Sequence, residues 1–142
     1  MIEIIADNSS LKRSATGSIT GLIFLRGPNG AFPQEQWSDF SVVILAWWIE
    51  GLTKVVNNQK HSFEGMFMDG PYAFRVESED GRNGQIAWGK RGEETAVGTV
   101  DVPTLLRSAI EAGRHVSEAC RVRNWSGRDV KNLEEAIART TV

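Results

Sequence analysis

Cysteine is nearly missing from this 142-residue chain: Cys120 stands alone. A single thiol excludes an intrachain disulfide and any zinc cage built on several cysteines. Histidine is almost as scarce, with only His61 and His115. No apolar run approaches the ~20 residues that a membrane-spanning helix needs; the longest, Val42 to Ile49, is followed at once by Glu50 and Lys54. Residues 1–10 lack the basic head and long apolar stretch of a secretory leader. The expected location is therefore the cytoplasm, where the sequons at Asn8 and Asn124 have no meaning. Neither sign of charge dominates, because 16 basic side chains face 18 acidic ones for a net charge of −2. Nucleic acid and anionic lipid call for clustered Lys and Arg, so neither is an expected partner. No repeat, low-complexity tract or Pro/Ser-rich linker divides the chain, and a single domain over residues 1–142 is expected.

What is present is enough apolar material for a core, at 41% hydrophobic against 24% charged residues. Residues 2–5 and 19–26 are rich in β-branched and aromatic side chains and read as strands. Gly27-Pro28-Asn29-Gly30 reads as the following turn, with Ala31 to Pro33 folding back on the second strand. Ser38 has the chemistry of a helix N-cap, Asp39 suits the positive end of the dipole, and Trp37 with Val42 would form a hydrophobic staple. Phe40, Ile44, Leu45, Trp48, Ile49, Leu52, Val55 and Val56 then project over an arc of roughly 200° at helical spacing. So wide an arc predicts a central helix covered on several sides, with Trp47 at the edge of its polar strip. Glu50 and Lys54 add an i,i+4 pair.

Between His61 and Val102 the apolar period becomes two, interrupted by Asp69-Gly70-Pro71, Glu79-Asp80-Gly81-Arg82-Asn83-Gly84 and Gly89-Lys90-Arg91-Gly92. Short alternating segments joined by such turns predict an antiparallel meander of four strands. Asp101 and Pro103 mark the start of a helix carrying Leu106, Ala109, Gly113, Val116 and Cys120 on one face. Gly113 costs about 1 kcal/mol against Ala there, which predicts close packing. A last helix is expected from Ser126, capped by a box with Asp129 and stapled by Trp125 and Val130. The fold class is thus α+β: an antiparallel sheet, made of an N-terminal hairpin plus a four-stranded meander, packed on a central buried helix, with two C-terminal helices.

Catalytic patterns are incomplete. Gly84 to Arg91 approximates the phosphate loop G-x4-G-K-[ST], but Arg91 stands where a hydroxyl must hold magnesium, and the stretch lies in a hairpin. Glu111 and His115 share a helix face, two ligands without a third. Cys120 lies on the apolar stripe and reads as a packed thiol. No cofactor and no metal are expected. Five tryptophans are many for this length, and most belong in a core because of their apolar area. Trp47 is the one expected at the surface, where aromatics anchor partner proteins.

The segments Phe32-Pro33 to Phe40, Val42 to Trp48, and Phe67-Met68-Asp69-Gly70-Pro71-Tyr72 resemble small uncharacterised bacterial proteins, some with the look of immunity partners of polymorphic toxins. The resemblance spans about residues 32–125 and rests on structural features, so no family site residue comes with it. It implies a protein-binding domain that occludes a cognate toxin. The chain's own surface chemistry makes Glu77, Glu79 and Asp80, on the wet sheet face and its neighbouring turns, and Trp47 the expected contacts. The alternative is a small enzyme or small-molecule-binding domain with a site around His61, Asp69, Tyr72 and Arg75.

Overall fold

The computed structural model describes residues 1–140. It is an α+β fold. Strand β1 (Glu3–Arg13) pairs antiparallel with β2 (Ile19–Gly27), which also pairs with β3 (Gly30–Phe32) and with the short β4 (Ser38–Asp39). Helix α1 (Ser41–Val56) leads to a second sheet, the meander β5 (Ser62–Met66), β6 (Tyr72–Glu77), β7 (Asn83–Lys90) and β8 (Thr95–Asp101), in that spatial order. Helices α2 (Val102–Val122) and α3 (Arg128–Arg139) complete the chain. The hairpin and the meander are separate sheets. No helix among the described residues is long and apolar enough to cross a membrane.

Helix α1 is the hub, in contact with β2, β5, α2 and α3. Ile44, Leu45, Trp48, Ile49, Leu52 and Val55 are fully buried along it, each worth about 1.5–3 kcal/mol relative to exposure. Helix α2 lies along β1 and against α1, where Gly113 permits the approach: a Cβ there would lie 3.1 Å from Ile49 Cδ1. The two sheets are joined by aromatic rings. Phe32 of β3 stacks on Trp88 of β7 at 5.2 Å, and Trp48 meets Phe67 and Phe74 edge-on at 5.1 and 4.9 Å. These rings fix the meander against α1, and its opposite face is left to solvent.

Three local expectations need correction. Ser38 does not cap α1, which begins after Phe40 with no side-chain cap. Ser38 and Asp39 pair with Leu22 and Gly21 instead, and the buried Asp39 carboxylate takes the N–H groups of Phe40 (2.7 Å) and Asp69 (3.0 Å) and the Trp37 indole (3.1 Å). One acceptor serving three donors satisfies a buried charge better than a single capping bond. Ser126 does not cap α3 either. That helix begins at Arg128 behind Gly127, because Trp125 is drawn back to close α2 by donating its N–H to Cys120 O at 2.8 Å. Finally, Glu50 forms its ion pair with Arg139 of α3 at 3.0 Å rather than with Lys54.

Candidate acidic partner-binding surface

The register of the meander builds the surface. Ser62 faces Glu77, Glu77 faces Gln85, and Gln85 faces Thr99, so one row of outward side chains crosses all four strands. At the end of the sheet nearest this row, the β6–β7 turn carries Glu79 and Asp80, and the β8–α2 junction carries Asp101 opposite Asn83. Together they line an open depression of about 840 Å³ that contains four carboxylates, Glu77, Glu79, Asp80 and Asp101, and no Lys or Arg.

Two of the carboxylates hold the fold. Asp80 accepts the N–H groups of Arg82 and Asn83, both at 2.9 Å, and the Asn83 side-chain amide at 3.2 Å. These backbone bonds favour its charged form and pull its pKa down to about 2. Ser78, buried beneath the turn, donates to Asn83 O at 2.8 Å and accepts from Gly81 N at 3.0 Å. Gly81 has φ +77°, and a Cβ there would lie 2.9 Å from the carbonyls of Val55 and Val56, so the turn sits tightly on the end of α1. Asp101 caps α2 by accepting from Thr104 N and Oγ1; the hydroxyl bond first, then the amide bond, and lastly the nearby charges of Arg82 and Arg107, which lie outside the lining, lower its pKa. Glu77 and Glu79 are exposed and enter none of the ion pairs among the described residues. They are the carboxylates free to meet a partner.

No family model, curated protein or solved structure matches this chain. The surface must therefore be read from its own chemistry.

Of the contacts expected from sequence, the structure brings Glu77, Glu79 and Asp80 together. Glu77 ends β6 and Glu79 lies beyond it, so the two do not share a strand face; the turn, not the pleat, joins them. Arg75 does not neutralise them, lying 3.7 Å from Glu64 and 3.8 Å from Glu94. Trp47 is 43% exposed but stands apart from this depression. It borders a cleft of about 230 Å³ between α1 and α3 and another hollow against β5. The alternative quartet is spread along the β5–β6 hairpin. His61 lies beside Ser78 at one end, Asp69 and Tyr72 flank the turn at the other, and Arg75 is between. The five residues of β5 separate the ends by roughly 17 Å. Asp69 gives its N–H to Asp39, and Tyr72 packs edge-on against Phe32 and Trp37. Among the described residues no three His, Cys, Asp or Glu side chains gather as a metal ion would require.

Missed from sequence were Gln85, Thr99 and Asp101 as members of the surface. A period of two between His61 and Val102 separates outward from inward residues, but only the inter-strand register reveals which outward residues are neighbours.

Proposed function

We propose that this protein is a protein-binding domain whose acidic depression, centred on Glu77 and Glu79, receives a basic surface of a partner protein. The observation that carries the reading is four carboxylates without a lining cation on a rigidly held, solvent-facing end of the meander. Such a surface steers a basic partner and speeds encounter through complementary potential. Its openness suits a protein surface better than an enclosed small molecule. The resemblance to immunity partners of bacterial toxins supplies the class of partner: a basic toxin enzyme, occluded in the bacterial cytoplasm by direct contact.

Co-expression with the product of the neighbouring gene tests this. A complex that survives purification, rescue of growth, and loss of both with Glu77→Lys/Glu79→Lys are the expected results. A complex and rescue unaffected by reversing both charges would sink the assignment of this face.

A further inference from the structure

The exposed edges of the two sheets are not equivalent. The outer edge of β1 is occupied by α2, whose Ser108 hydroxyl accepts the Ile4 N–H at 2.8 Å. The edge of β5 is held by α1: the Trp48 indole donates to Met66 O at 3.2 Å, and the Phe63 ring lies against Gly51. Strand β8 pairs with β7 on one side, and among the described residues no strand pairs with its other side. Its main remaining neighbour is α2, the helix that follows it directly in the chain.

Open edges are normally blunted with charge, proline, a bulge or cover, because their unpaired N–H and C=O groups recruit other strands. Thr95 to Val100 carry neither charge nor proline. One bulge interrupts the strand, between the pairs Ala96–Ala87 and Gly98–Ile86, and leaves Gly98 to Asp101 in regular register. That stretch borders the acidic depression. Thr99 ends the row that contains Glu77, and Asp101 is the next residue on the same side of the strand.

We infer that a partner docks on β8 by adding an extended basic segment as a fifth strand of the meander, with Lys or Arg at the alternate positions that face Thr99 and Asp101. This rests on the acidic depression being the partner surface, and it names how that surface is engaged. Main-chain hydrogen bonds to Gly98–Asp101 supply the pairing, and alternate cations facing Thr99 and Asp101 at the rim of the acidic depression supply the selectivity. Charge argues against a second copy of the chain as occupant. A second β8 has no Lys or Arg between Thr95 and Asp101 to set over the carboxylates, and its own Asp101 would add to them.

The probe is a capped heptapeptide, Thr-Lys-Val-Lys-Val-Lys-Thr, compared with the same peptide carrying Glu for Lys. Two further forms keep the lysines but are N-methylated on one or the other alternate set of amides. Titration calorimetry with the whole protein is expected to show binding of the lysine peptide, at least tenfold weaker binding of the glutamate peptide, and at least tenfold loss for one methylated form. Hydrogen exchange should slow at alternate amides within residues 98–101. Equal binding by both methylated forms, no slowing in 98–101, no binding of the lysine peptide, or concentration-dependent protection of β8 without peptide each overturn the strand-addition mode. Should Glu77→Gln/Glu79→Gln weaken the lysine peptide tenfold while β8 stays unprotected, the acidic surface stands and only its mode of use fails. Loss of the surface reading itself would show as a partner complex indifferent to those two charges.

Discussion

Replacing Gly65 with alanine sets two opposed effects against each other. Gly65 faces Phe74 across the β5–β6 pair, and a Cβ built on it would lie 2.2 Å from Phe74 Cε1 and 2.3 Å from Cζ. Alanine in place of glycine inside a strand gains about 0.5–1 kcal/mol through lower unfolded-state entropy. Overpacking a filled core costs about 1–3 kcal/mol, near the upper end when the clashing group has nowhere to go. Phe74 has nowhere to go: it is fully buried, with Trp48 at 4.9 Å and Phe63 at 5.8 Å on its flanks. The net expectation for Gly65→Ala is a loss of about 2 kcal/mol, from roughly 3 of overpacking less the entropy gain. At about 3 °C per kcal/mol for a chain of this size, Tm falls by roughly 6 °C. Urea unfolding of Gly65→Ala, Phe74→Leu and the double variant measures the coupling. The double variant should be more stable than the sum of the two single losses requires, because the smaller side chain admits the methyl. A Gly65→Ala protein as stable as the parent, or additive losses, would refute the packing argument.

Asp39→Ala leaves the Phe40 and Asp69 N–H groups and the Trp37 indole, all part-buried, without their acceptor and is expected to cost about 2 kcal/mol by denaturant unfolding, with Asp39→Asn costing less. Asp80 has a folded pKa of about 2, below its usual 3.8. Its contribution is therefore complete above about pH 4 and lost as pH falls toward 2. The stability difference between the parent and Asp80→Asn should shrink over that window, and carboxyl NMR titration should place the midpoint near 2. Burial raises the Cys120 thiol's pKa; modification by a thiol reagent should be slow in the native protein and prompt in denaturant.

The large elements were legible because their signals are local. The apolar arc of α1, the two-residue period of the meander and the Asp101–Pro103 start of α2 each lie within a short window of sequence. The errors fall where one side chain has two uses. Ser38 and Asp39 carry the short polar side chains of a cap, but tertiary partners from β2, Trp37 and Asp69 outbid the helix for them. The second half of β1 was invisible for a similar reason. Asp7 to Ser10 are polar and turn-like, yet β1 runs on to Arg13, with Ser10 Oγ accepting Leu22 N–H at 2.8 Å across an irregularity in the pairing. Half of the acidic surface could be named in advance, since Glu77, Glu79 and Asp80 are close in sequence. Thr99 and Asp101 could not, because they join it through strand register. The same non-local geometry parted His61 from Asp69 and Tyr72: flanking one hairpin in sequence placed them at its opposite ends.

Hydrogen-exchange mapping of the protein with and without its purified partner tests the central claim most directly. Protection concentrated in residues 77–85 and 95–101 is the predicted footprint. A footprint confined to the α1–α3 face around Trp47, with those two segments exchanging as in the free protein, would contradict it.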